Sequence, residues 1–386
     1  RGQKYKKSEE SAVRVMLTAL ALAGMLLPSG CSATLLPYAR EMGDMALLRT
    51  MSVDAGEGDY QVEVTVSTGK RAYGLQGESQ PSLVLSAQRE SLSAACLAMQ
   101  GLSDSYVFYG YVDQLLLGEG LTKRSVWPVL DYFAQDAQLG LGVQLWVVRG
   151  GTAAQAVQAG GESGVENRLS TLQTDSEMGA AGASRTAGEV FSDLLERGSA
   201  YLPALRVQET DQEGQTALLE AGYAVLKEGT LAGYLEGESA KGLELLVNQA
   251  PSDVFEVPLS QGRVVVRVTG SALVCTPKME NGQLTAVDLN CRVTAEVAEI
   301  EGELTQEDLE QVKQAVDSRQ QRRLTQALER LQGWGADCVG LGQRLAMADP
   351  ARGEKLLERW PEVFSSLPVQ VSVETSLTRL LFMEES

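Results

Sequence analysis

Cys31 is the side chain of this sequence best placed to be modified. An apolar run over residues 15–27 leads through Pro28, Ser29 and Gly30 to a single thiol. Small residues there let an extended chain enter a processing enzyme. The thiol can then be alkylated by a diacylglycerol donor, and cleavage before Cys31 frees its amine for further acylation. The run is shorter than the ~20 residues a bilayer span needs, and it follows Arg1, Lys4, Lys6, Lys7 and Arg14, which is the layout of a signal peptide over residues 1–30. A sequence opening on Arg1 in place of methionine suggests a trimmed or incomplete N-terminus. Buried acyl chains contribute about 0.8 kcal/mol per CH₂, so two chains on Cys31 would anchor the protein on a membrane without spanning it. A lone leader with an incidental cysteine is the plainer alternative, and Pro28 departs from the leucine usual three residues before a lipid-bearing cysteine.

Other candidate chemistry is thin. Histidine is absent, which removes the commonest general base, the Ser-His and Cys-His pairs and imidazole metal ligands. No P-loop, nucleophile elbow or zinc spacing occurs, and Gly340-Leu341-Gly342 lacks the third glycine of a dinucleotide loop, so it reads as a helix-terminating turn. Asp54, Glu57 and Asp59 crowd one turn, and Glu296, Glu299, Glu301 and Glu303 form an acidic run. Carboxylates without fixed spacing read as solvated faces, not calcium sites. We therefore expect no catalytic residues, cofactor or metal, and no enzyme activity. Cys96 falls on an apolar helical face with Leu92 and Met99 and reads as a buried thiol. Cys275 and Cys291 lie on adjacent predicted strands, where a disulfide is conceivable; a two-residue turn at Asn281-Gly282 would instead set Cys275 opposite Asp288.

The elements that would position these residues follow from length and pattern. The chain has 386 residues and a formal charge of −18, or −21 beyond residue 30. It is long enough for two or three cores, and too acidic for phosphate-backbone binding, so nucleic acid is not an expected partner. Strands are predicted over residues 46–53, 60–66, 112–117 and 142–148, with helices over 91–102 and 125–137. The Gly, Ala, Ser, Thr and Gln composition of about 150–188 predicts a mobile loop with short helical pieces, and residues 186–197 regain an amphipathic stripe. A hairpin over 221–226 and 230–234, a helix around Leu243 and strands to residue 297 follow. Thr305 and Asp308 then resemble a capping box opening a long helix stopped by Gly333. A short helix around Trp360 and a strand at Val369, Val371 and Val373 close the chain. The expected class is α+β, two or three domains, each a mostly antiparallel sheet with packed helices. The divisions are 1–30, 31–205 and 206–386, with a further division near 300 left open.

Several segments in fixed order carry a resemblance. Residues 40–48 with Ser52 and Asp54, residues 108–119 (Phe-Tyr-Gly-Tyr-Val-Asp-Gln-Leu-Leu-Leu-Gly-Glu), 129–133 and 147–150, then 223–235 with 238–243, and 335–342 with Trp360 and 369–373, together resemble the Ger(x)C family of spore germination lipoproteins. Tyr111 stands where histidine is frequent in that family. The resemblance implies a C subunit of a nutrient germinant receptor. It would be lipid-anchored through Cys31 at the outer face of the spore inner membrane, and would assemble with a larger A subunit and a multi-pass B subunit. A lipid-anchored solute-binding protein feeding a permease is the alternative. The two-lobed α/β pattern expected of such a protein is missing.

Overall fold

The computed structural model describes residues 45–56, 62–69, 71–73, 78–177, 182–209, 216–250, 253–281, 283–302 and 304–378. An eight-stranded sheet dominates the first half. In chain order its strands are β1 (Thr50–Ala55), β2 (Val62–Ser67), β3 (Val84–Arg89), β4 (Gln114–Gly118), β5 (Gln144–Val148), β6 (Ser199–Glu209), β7 (Thr216–Lys227) and β8 (Thr230–Leu235). Across the sheet they run β8-β7-β6-β5-β4-β1-β2-β3.

Most pairings are antiparallel, as expected for the class, but the centre is not: β1, β4, β5 and β6 are mutually parallel. The reason is visible in β4 and β5. Leu115, Leu116 and Leu117, and Leu145, Trp146, Val147 and Val148, are all buried, and strands covered on both faces need apolar residues on both faces. One face packs α1 (Leu92–Gln100), α3 (Trp127–Gln135) and α6 (Ala187–Arg197) through Met99, Phe133 and Val190. Between them in sequence lies the short α2 (Glu119–Arg124). α1 starts at Ser91, whose Oγ accepts the Ala94 N–H, and α6 starts at a Thr186–Glu189 capping box.

The other face is covered by α4 (Ala153–Gln158) and α5 (Glu166–Glu177), within the segment whose composition suggested a loop with short helical pieces. Its small residues are the reason: Ala153, Ala156, Val157, Leu169 and Leu172 lie against Leu116, Trp146 and Val148, so modest side chains build a core by close approach. A Thr152–Gln155 capping box, absent from our sequence reading, fixes the start of α4.

The second half is a four-stranded sheet in the order β9 (Val254–Pro258), β10 (Arg263–Glu280), β11 (Gln283–Glu301) and β12 (Val369–Thr378). Val287, Leu289, Cys291, Val293 and Ala295 alternate toward α8 (Gln306–Trp334), which answers with Val312, Val316, Leu324 and Leu331. Thr305 and Asp308 form the expected capping box. Gly333, however, stays inside α8; the stop is Gly335, left-handed at φ 60°. A bulge at Lys278 and Met279 shifts the hairpin register by one, setting Cys275 opposite Leu289 and Cys291 opposite Leu273. Both thiols are free. The helices α7 (Glu238–Leu246), α9 (Leu341–Ala348) and α10 (Pro350–Phe364) complete this half.

The two halves share the large sheet. β6 pairs antiparallel with β7 from Ser199↔Lys227 to Glu209↔Thr216, so β6 carries residues 205 and 206 within one strand.

Candidate functional site

Cys31, Glu57, Asp59 and Glu303 lie outside the described residues. Of the remaining acidic candidates, Glu296 pairs with Arg267 and Glu301 with Arg263, both at the surface. No group of three or more histidines, cysteines or carboxylates is placed to share a metal ion among the described residues.

Asp54 is different. It sits at the carboxyl end of β1, 4% exposed, and its two oxygens accept the Ala153 and Ala154 N–H groups at 2.8 and 2.9 Å. The start of α4 is thus held by a carboxylate from a distant strand. A Cβ on neighbouring Gly118 would lie 1.8 Å from Asp54 Oδ1, so glycine is the residue that leaves room. Burial pushes the Asp54 carboxyl up, and the two N–H bonds offset this only in part.

Glu119, just past β4, repeats the arrangement. Its Oε2 accepts the Gly150 N–H at 2.7 Å and the Tyr234 hydroxyl at 3.1 Å, while Lys123 pairs with Oε1. Burial raises this carboxyl too, but Lys123, the Gly150 N–H and the Tyr234 hydroxyl together outweigh it and hold it below the ordinary range. Arg149, at the end of β5, pairs with Glu236 and stacks 4.8 Å from the Tyr234 ring centre. The carboxyl ends of parallel strands are where open α/β sheets commonly take ligands. Here Asp54, Glu119, Arg149, Tyr234 and Glu236 fill that edge with contacts to one another and to backbone. They tie the first half of the chain to the β7–β8 hairpin.

The second half has two further buried polar centres. Arg323 of α8 is 1% exposed and bonds Glu238 and Asp253. A Cβ on Gly242 would lie 2.0 Å from the Arg323 carbonyl oxygen, so α7 and α8 cross in contact there. Sequence reasoning missed this centre, though a signal existed: Gln320 and Arg323 interrupt the apolar stripe running from Val312 to Leu331. Asp337 accepts the Leu341 and Gly342 N–H groups at 2.9 and 2.8 Å and the Trp360 indole N–H at 2.8 Å. Gly340-Leu341-Gly342 therefore opens α9, contrary to the expected helix stop, because Asp337 supplies the cap. A Cβ on Gly342 would lie 2.7 Å from the Trp360 ring. Tyr111, half exposed, meets Phe108 edge-on at 5.8 Å, and nearby in sequence Asp113 pairs with Arg49.

Several described residues of the segments that carried the resemblance, among them Asp54, Glu119, Arg149, Tyr234, Glu238, Asp337 and Trp360, lie at these packing junctions. Two family models match the chain in succession: "Spore germination protein N-terminal domain" over residues 38–207, and "Spore germination B3/ GerAC like, C-terminal" over 221–380. No curated protein matches it. Among solved structures it is similar to the one titled "Crystal Structure of the GerBC protein". That likeness has a TM-score of 0.52 at 16% identity, covers 85% of this chain and 97% of that one, and shows the shared fold. With both domain models matched in order over nearly all the described residues, the chain belongs to the GerAC-like family of spore germination proteins.

Proposed function

We propose that this protein is the C subunit of a spore nutrient germinant receptor, held by acyl chains on Cys31 at the outer face of the spore inner membrane and assembled there with A and B membrane subunits. The match of both spore germination domain models, in order, carries the reading. The polar centres at Glu119, Arg323 and Asp337 are consistent with it. Each spends its hydrogen-bonding capacity inside the protein, as a rigid assembly subunit requires and a catalytic pair does not. Anchoring confines the body to a surface and raises its effective concentration beside membrane partners without any new contact. With formal charge −21 beyond residue 30, attraction to anionic headgroups is not available, so the acyl chains carry the membrane affinity.

The test is Cys31→Ala in spores, with tagged protein recovered from detergent-solubilised inner membranes and its partners identified by mass spectrometry. The unaltered protein should bring down a multi-pass transporter-like protein and a second large membrane subunit, and Cys31→Ala should reduce both recovery and nutrient response. A full response at normal receptor levels would overturn the anchoring role; recovery of an ATP-driven permease would overturn the receptor assignment.

A further inference from the structure

A cavity of about 90 Å³ lies where the end of α6, the β7–β8 turn and the C-terminal helices meet. Its polar side is formed by Arg197, Ser199 and Lys227, its apolar wall by Trp360, Pro361 and Phe364. That is room for several water molecules or one small organic ion.

The balance of donors and acceptors decides what would fit. Apart from the Ser199 hydroxyl and the Glu228 carboxylate, several acceptors around the cavity are already engaged. The Trp334 carbonyl takes Lys227 Nζ at 3.0 Å, the Cys338 carbonyl takes Arg197 Nη1 at 3.3 Å, and the Gly198 carbonyl takes the Glu228 N–H at 2.6 Å. The Phe364 carbonyl takes Gln332 Nε2 at 2.9 Å, and both Asp337 oxygens are filled by the bonds described above. Donors remain. An ammonium has three N–H groups, and Lys227 spends one on Trp334. Ser199 is 2% exposed, and its Oγ has no partner among the described residues, which is costly for a buried hydroxyl unless something occupies the cavity beside it. Arg197 adds charge, although Asp193 shares it with Arg185. Glu228, which also lines the cavity, is exposed at its rim.

We propose that this cavity is a binding site for a small monocarboxylate. The carboxylate would accept hydrogen bonds from Lys227 Nζ and Ser199 Oγ, and its short apolar end would lie on Trp360 and Phe364. A lining of spare donors against an aromatic wall suits an anion with one apolar end. A neutral polyol could bond the Ser199 hydroxyl but would bring no counter-charge to Lys227. A dianion would meet a stronger repulsion from Glu228 at the rim.

Saturation-transfer NMR on the detergent-solubilised full chain tests this, with sodium acetate as probe and sodium formate and chloride as competitors. Saturation should reach the acetate methyl protons, and formate, lacking the methyl, should bind more weakly. Lys227→Met should weaken acetate about tenfold, the scale of one charge-assisted hydrogen bond. Glu228→Gln, an exposed change that leaves the core alone, should tighten it. Three results would overturn the site: no transfer to acetate at tens of millimolar, chloride displacing acetate while formate binds as well as acetate, or acetate binding unmoved by Glu228→Gln and by both Lys227→Met and Ser199→Val in chains whose circular dichroism is unchanged.

Discussion

Asp54 in the first half and Asp337 in the second perform the same task at different reach. Each is a buried carboxylate accepting two successive N–H groups at a helix start, which satisfies donors that would otherwise be stranded. Asp337 acts on a helix beginning four residues later and gains the Trp360 indole N–H as a third donor. Asp54 acts on a helix about a hundred residues away. A local cap fixes a turn, whereas a distant one fixes how layers are stacked, so losing the second should loosen the sheet face without unwinding the turn itself.

The largest effect should come from Asp337→Ala, which strands three buried donors: a loss of about 4 kcal/mol in urea unfolding. Asp54→Ala strands two and also relieves a carboxylate that burial already disfavours, so about 2 kcal/mol is expected. Equal losses would mean that reach and the third donor do not matter, and the comparison would fail. Gly342→Ala sharpens the second region further. Its Cβ would lie 2.7 Å from the Trp360 ring, so the indole must shift, at about 1.5 kcal/mol and with a red-shifted tryptophan emission. Unchanged emission and stability would show that the glycine does not serve this contact.

The same contrast explains what was legible in the sequence. Thr305 with Asp308 and the alternation from Val287 to Ala295 depend on near neighbours, and their pattern survives folding. The Leu115–Leu117 run was legible as a strand, but parallel pairing was not, because an all-apolar strand lacks the alternation that reports a face. Gly340-Leu341-Gly342 was read as a stop because the cap precedes it in the chain and the ring that demands a glycine comes eighteen residues later. Asp54 looked like a member of an acidic cluster because nothing nearby names α4 as its partner. Arg323 was missed for the same reason, with Glu238 and Asp253 both more than sixty residues away. Cys275 was misplaced by one register step because a bulge leaves no mark in strand composition.

The finest test compares Asp54 with Glu119, which end neighbouring parallel strands and both receive backbone N–H groups from the chain just after β5. Burial holds Asp54 above its ordinary 3.8, so the fold favours its protonated form. Its contribution to stability is fully present below 3.8 and is lost as pH rises through the folded value. Glu119 is held below its ordinary 4.5 despite burial, by Lys123, Gly150 and Tyr234. Its contribution is present above 4.5 and is lost as pH falls through the folded value. Urea midpoints measured from about pH 3 to 6 should therefore show opposite slopes when each variant is subtracted from the unaltered protein: downward with rising pH for Asp54→Asn, upward for Glu119→Gln. Lys123→Met should flatten the Glu119 slope at a cost of only about 0.5 kcal/mol, because Lys123 is exposed and the pair is screened. If the slopes share a sign, solvent access and the lysine are not what separates the two carboxylates; if Lys123→Met leaves the Glu119 slope intact, Gly150 and Tyr234 supply the stabilisation by themselves, and Glu119 is held by neutral donors alone.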